Sequence, residues 1–209
     1  LLLVTVTYAI FWCFRALRQS ETGELGEERA PSRLADYFQL SKIRIVVLVM
    51  LTSTVGFLVA SLRASGEAGA VDWLKLGLTM LGIGIAAAGT SALNQVMEHH
   101  LDALMERTRN RPLPSGRMSR SNALIFGVGL SVAGVGLLVI FSGWLAAALT
   151  AGVTLSYLFV YTPLKRMTTF STLVGAVPGA LPPVIGWAAA AGEVGKEALT
   201  LWLIMFVWQ

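Results

Sequence analysis

LGLTMLGIGIAAAGTSALNQVM, Leu76–Met97, holds no charged residue, and its reading decides the fold. As a helix rising 1.5 Å per residue it would reach roughly 33 Å, enough to cross a bilayer core about 30 Å thick. It lacks the alternation of a barrel strand, and lipid demands a backbone that satisfies its own polar groups. Runs of similar character recur at Ile45–Leu62, Ala123–Phe141, Trp144–Val160 and Ser171–Ala191. A further run begins at Leu199, and another occupies Leu1–Phe14. The expectation is an all-α, polytopic transmembrane helical bundle.

The composition agrees. The chain has 209 residues, of which 55% are hydrophobic and 13% charged, with mean hydropathy +0.69. Disordered chains, coiled coils and water-soluble domains are excluded by that balance. A single cysteine, Cys13, excludes a disulfide scaffold or a Cys-cluster metal site. There is no G-x-S-x-G and no P-loop, so hydrolase and NTPase readings find no support.

Leu1–Phe14 has no basic segment before it and no small-residue cleavage site after it; Arg15 and Arg18 follow instead. Residues 1–18 therefore read as a transmembrane helix. Residues 19–39, with Glu21, Glu24, Glu27, Glu28 and Pro31, read as a polar cytoplasmic linker or surface helix, and 40–209 as the main membrane domain. The chain starts at Leu1 and stops at Gln209 inside an apolar run, so a fragment cut at both ends is expected.

Net charge is +4 and the isoelectric point about 9.6. If Ile45–Leu62 runs outward, every Lys and Arg except Arg63, Lys75 and Lys196 falls on one side. Cytoplasmic loops collect basic residues, so that side is read as cytoplasmic, and the charge needs no nucleic-acid partner.

Chemistry concentrates in AGTSALNQVMEHHLDALMERTRNRPLPSG, Ala88–Gly116. Asn94, Glu98 and Asp102 follow one another at every fourth position, so on a helix they share an arc of about 80° over roughly 12 Å. Carboxylates near a membrane are costly unless a cation meets them. Hard oxygen donors suit Mg²⁺ bound together with substrate phosphate. Arg107, Arg109 and Arg111 follow, and Pro112 and Pro114 stop the helix. Carboxylates beside forked guanidinium donors suggest a magnesium–diphosphate site. Spacing alone equally allows Glu98 and Asp102 to pair with the basic loop as ordinary surface charges. Gly82, Gly84, Ala86, Ala87, Ala88 and Gly89, and the Gly175–Gly179 pair, imply close helix packing, with a cavity for a long apolar ligand as the second reading.

The pattern N-x-x-x-E-x-x-x-D-x-x-M-x-R-T-x-x-R-P-L-P resembles the first Asp-rich motif of the UbiA-type intramembrane prenyltransferases. Its Met-x-Arg-Thr-x-x-Arg-Pro-Leu part is most similar to the protoheme IX farnesyltransferase (heme O synthase) branch. LSKIRIVVLVMLTSTVGFLVA, from Leu40, and YTPLKRMTTFSTLVGAVPGALPPVIGWAA, from Tyr161, resemble two further segments of that branch. Lys42-Ile43-Arg44 stands where the branch has Lys-Pro-Arg, Glu98 where many members have Asp, and His100 where some have another Asp. The resemblance implies an incomplete bundle, with about six of the family's nine helices plus one extra N-terminal helix, ending before a second Asp-rich motif.

The resemblance also implies an Mg²⁺-dependent enzyme. Asn94, Glu98 and Asp102 would act as metal ligands and catalytic residues; Arg107, Arg111, Tyr161 and Lys165 would bind the diphosphate of farnesyl diphosphate. A vinyl group of heme b would accept the farnesyl group, giving heme O and diphosphate, and heme A synthase would be a partner. The implied place is a bacterial inner membrane in preference to a mitochondrial one, with the active site on the cytoplasmic side. A sister enzyme with an aromatic acceptor, either a quinone precursor or chlorophyllide, is the alternative. A membrane transporter is the rival of another class, suited by breaks such as Val177-Pro178-Gly179. Arg166 reads as an ordinary inner-side charge. His99 and His100 point about 100° apart on a helix, against a shared heme iron. Trp144, Trp187 and Trp202 are expected as interface anchors, with a place lining the outer cavity as the second reading for Trp187.

Overall fold

The computed structural model describes residues 33–65 and 71–209. The helix expected at residues 1–18, Cys13, and the linker up to residue 32 lie outside the described residues. The described chain is helical, with no strand. α1 spans Arg33–Ser41, α2 Ile43–Ser65, α3 Trp73–Leu104 and α4 Arg120–Phe141. α5, Trp144–Leu155, runs into a π-helical stretch, Ser156–Tyr161, and a last turn α6, Thr162–Leu164. α7 covers Ser171–Gly179, α8 Pro182–Ala191 and α9 Lys196–Trp208. Five stretches, Ile43–Ala64, Trp73–Leu104, Arg120–Phe141, Trp144–Leu164 and Ser171–Ala191, are long and apolar enough to cross a membrane, the last two each joining more than one of these elements.

Local signals set the boundaries. Asp72 caps α3 by accepting from the Lys75 amide at 2.9 Å, and Ser119 caps α4 through the Asn122 amide. Gly192, in the left-handed conformation, ends α8. The apolar run Ser171–Ala191 is broken rather than continuous: Ala180 and Leu181 separate α7 from α8, where Pro182 and Pro183 open the second helix. Proline is tolerated in a first turn, which lacks intrahelical donors anyway.

α3 is the axis of the bundle. Its 32 residues reach roughly 48 Å, well past a bilayer core. It packs along α4, where glycines let the backbones close up. A Cβ on Gly89 would lie 2.6 Å from the Ser131 amide nitrogen, and one on Gly134 2.5 Å from that of Ala86. α2 packs against α8 in the same way, through Gly56 and Gly186. The small residues thus serve close packing. The core between them holds Phe57, Met80, Ile83, Leu138 and Ile185. Outward, Ile125, Val132 and Val139 form an exposed apolar stripe down α4 with a seven-residue repeat, a face suited to lipid.

The tryptophans divide. Trp144 is exposed as an anchor would be, and Trp202 stacks on Phe206 and donates from its indole to Val177 O at 3.2 Å. Trp187 corrects the expectation: it is buried in a cluster with Ala60, Val184 and Ala198. It faces inward because α8 is clasped between α2 and α9.

Candidate active site at the rim of the bundle

Asn94 lies 21 residues past Trp73, roughly 32 Å along α3, so the polar end of the helix begins about one bilayer core from its start. Asn94, Glu98 and Asp102 all turn into the bundle and are buried, at 4%, 7% and 6% exposure. Buried carboxylates need partners. Glu98 Oε1 receives Lys165 Nζ at 3.2 Å, and Asp102 Oδ2 receives Arg111 NH1 at 2.7 Å.

Each cation arrives from a different element. Arg111 returns from the turn after α3, where Thr108 ties the chain by donating from its hydroxyl to Asp102 O at 2.8 Å. Lys165 follows α6. Its neighbour Arg166 reaches Met97 O at 3.2 Å, away from the carboxylates. Tyr161 lies beside Tyr157, ring centroids 5.0 Å apart. It fits there because Gly175 has no Cβ: one would fall 2.6 Å from the Tyr161 ring. Arg107 is exposed and makes no ion pair among the described residues. The rings of His99 and His100 turn toward one another, centroids 3.7 Å apart, with His100 exposed.

Three residues of the site carried no assignment from sequence. Lys42 stands at the α1–α2 junction with φ +48°, a conformation that costs any non-glycine residue. Burial and then Arg111 lower its pKa, while Glu98 and Asp102 pull it up. Gln95, 1% exposed, holds that junction by donating to Leu40 O at 2.8 Å. Thr162 Oγ1 donates to Asn94 Oδ1 at 3.0 Å. Lys42 was visible only as half of a Lys-x-Arg pair, and no local pattern announced Gln95 or Thr162.

Among the described residues no three His, Cys, Asp or Glu side chains converge as a metal cluster. The donor set is instead two carboxylates and an amide. All are hard oxygens, and Asp102 Oδ1 accepts no hydrogen bond among the described residues. Lys165 is half exposed and free to swing out. That set fits a divalent cation that shares its coordination with phosphate oxygens and water.

The sequence profile of the UbiA prenyltransferase family matches residues 49–209. The chain belongs to the UbiA prenyltransferase family. It is an integral membrane protein, as its apolar spans and its family together require. It is 46% identical over 179 residues to a protein of Solibacter usitatus named protoheme IX farnesyltransferase, covering 84% of this chain and 61% of that protein. A protein of Azotobacter vinelandii with the same name is 44% identical over 174 residues, 83% of this chain and 56% of the relative. The chain therefore spans about three-fifths of the length of the curated relatives it matches. The solved structure of digeranylgeranylglyceryl phosphate synthase superposes with TM-score 0.71 at 19% identity, covering 83% of this chain and 58% of that one, which establishes the shared fold.

Proposed function

We propose that this chain is part of an enzyme that transfers the farnesyl group of farnesyl diphosphate to a vinyl group of heme b, giving heme O and diphosphate. The observation that carries the reading is the buried row Asn94–Glu98–Asp102 met by Arg111 and Lys165. The acceptor is inferred from the name borne by the relatives at 44–46% identity.

The chemistry asks for cations where negative charge develops. As the allylic C–O bond breaks, its electron pair stays on the diphosphate. Arg111, Lys165, Lys42 and Arg107 would hold those oxygens and stabilise that charge. Asn94, Glu98 and Asp102 would hold Mg²⁺, which when bound supplies Lewis-acid stabilisation of the leaving group. Tyr157 and Tyr161, ring centroids 5.0 Å apart, would offer ring faces to the allylic cation left behind. The vinyl π electrons would form the new C–C bond to the farnesyl carbon, and water would add to the resulting cation and lose a proton, completing the hydroxyethylfarnesyl side chain of heme O.

The basic rim is read as cytoplasmic from its excess of Lys and Arg, and the membrane as a bacterial inner membrane. An enzyme that consumes heme O, heme A synthase, is the corresponding partner. The test is complementation: the full-length reading frame that contains this chain is expressed in a bacterium lacking its own heme O synthase. Heme O in the membranes is the expected result. A prenylated quinone precursor or chlorophyllide, or no prenylated product at all, contradicts the reading.

A further inference from the structure

We propose that Thr162 is a positioning residue that lets the Asn94 amide turn over: its nitrogen faces Glu98 when no cation is bound, and its oxygen does so when a divalent cation arrives. The inference rests on the metal–diphosphate reading above.

Asn94 Nδ2 donates to Glu98 Oε2 at 3.1 Å, and Asn94 Oδ1 accepts from Thr162 Oγ1 at 3.0 Å. In that arrangement the amide shows the carboxylate its donor, the wrong atom for a metal ligand. The Thr162 hydroxyl also lies 2.8 Å from Tyr157 O. A hydroxyl has one proton and two acceptor sites, so it serves only one of these oxygens at a time.

The π-helical stretch makes both choices affordable. Tyr157 O already accepts the Thr162 backbone amide, five residues on, so it is satisfied whether or not the hydroxyl turns to it. When the proton points to Tyr157 O, Thr162 Oγ1 can accept from Asn94 Nδ2. Asn94 Oδ1 then faces Glu98 Oε2, two acceptors that repel each other, and both belong to the set that would hold a divalent cation. Thr162 is 1% exposed and Asn94 4%, so water does not readily replace either partner. The turned state gives up the Asn94–Glu98 hydrogen bond and keeps the other groups paired, so it is favoured only when a cation compensates Glu98 for that loss.

Mn²⁺ titration of the chain in detergent, followed by electron paramagnetic resonance of the free ion, tests this. Thr162→Val should weaken Mn²⁺ binding about tenfold, as loss of a partner behind a metal ligand does. Thr162→Ser should restore it. In an Asn94→Asp background, which has no amide to turn, the same Thr162→Val change should cost less than about threefold. Equal losses in both backgrounds would mean a merely structural threonine and overturn the proposal. The unmodified chain offers a second readout. With asparagine labelled at its side-chain ¹³C=O, the infrared band that Asn94→Asp removes should shift on adding Mg²⁺, and a fixed band overturns the proposal. If Asp102→Asn leaves Mn²⁺ affinity unchanged, the metal reading itself fails. If Asp102→Asn abolishes binding and Thr162→Val does nothing, only the inference about Thr162 fails.

Discussion

Arg111 NH1 lies 2.7 Å from Asp102 Oδ2, nine residues back along the chain, because the turn after α3 folds the basic loop over the end of its own helix. This places a guanidinium on a carboxylate that is almost fully buried. Under the proposed function, Arg111 would exchange this carboxylate for phosphate oxygens and Asp102 would exchange the guanidinium for a cation.

Asp102→Asn keeps the shape of the side chain and removes its charge. Heme O formation in membranes expressing the gene should fall at least about a hundredfold, a loss of about 3 kcal/mol of transition-state stabilisation. Circular dichroism should show the helices intact. Undiminished product from this variant would contradict the assignment of Asp102.

The glycines make opposite predictions according to what stands over them. A Cβ at Gly56 would lie 2.7 Å from the backbone carbon of Pro183, so Gly56→Ala should destabilise the α2–α8 contact by about 1–3 kcal/mol. Gly129 and Gly136 on α4 have nothing within 4 Å. Alanine there should be neutral or stabilising by about 0.5–1 kcal/mol. Thermal unfolding in detergent separates the two classes.

Asp36 is buried and accepts from Arg117 Nε at 3.0 Å, which pins α1 to the loop before α4. Asp36→Asn should cost about 1–2 kcal/mol and raise amide exchange along α1. Exchange that leaves α1 as protected as before would show that the pair does not hold it.

Lys42 sets a pH dependence. Burial first, then Arg111, with Lys165 a lesser contributor, pull its ammonium below the ordinary 10.5, against the pull of Glu98 and Asp102. Between that lowered value and 10.5 the unfolded chain holds a proton that the folded chain has released. Stability of the ligand-free protein therefore rises with pH across that window. Lys42→Met should flatten the rise and stabilise the ligand-free protein at neutral pH, while weakening diphosphate binding. A melting profile with the same alkaline slope in both proteins would contradict this.

Features that depend on neighbours in sequence were legible from it. That α3 crosses a membrane followed from the uncharged run Leu76–Met97, although the helix extends beyond it at both ends, and the shared face of Asn94, Glu98 and Asp102 followed from the helical repeat. Features that depend on distant partners were not. Residues 33–39 read as linker or surface helix and lie in helix α1, but nothing local showed that Asp36 finds its cation 81 residues away at Arg117. Trp187 looked like an anchor because nothing local reveals that α8 is enclosed by α2 and α9. The run Ser171–Ala191 is apolar throughout, so hydropathy passed over the interruption at Ala180 and Leu181. Thr162 became part of the site only when the π-helical stretch brought it to Asn94, 68 residues earlier.

The central claim is that Asn94, Glu98 and Asp102, with the cations facing them, bind a metal–diphosphate. Binding of a non-reactive thio analogue of farnesyl diphosphate, with and without Mg²⁺, measures this directly. The account predicts that Mg²⁺ tightens binding at least about tenfold in the unmodified protein, and that Glu98→Gln and Asp102→Asn each remove that gain. Equal affinity with and without Mg²⁺, or a gain that survives both substitutions, would contradict it.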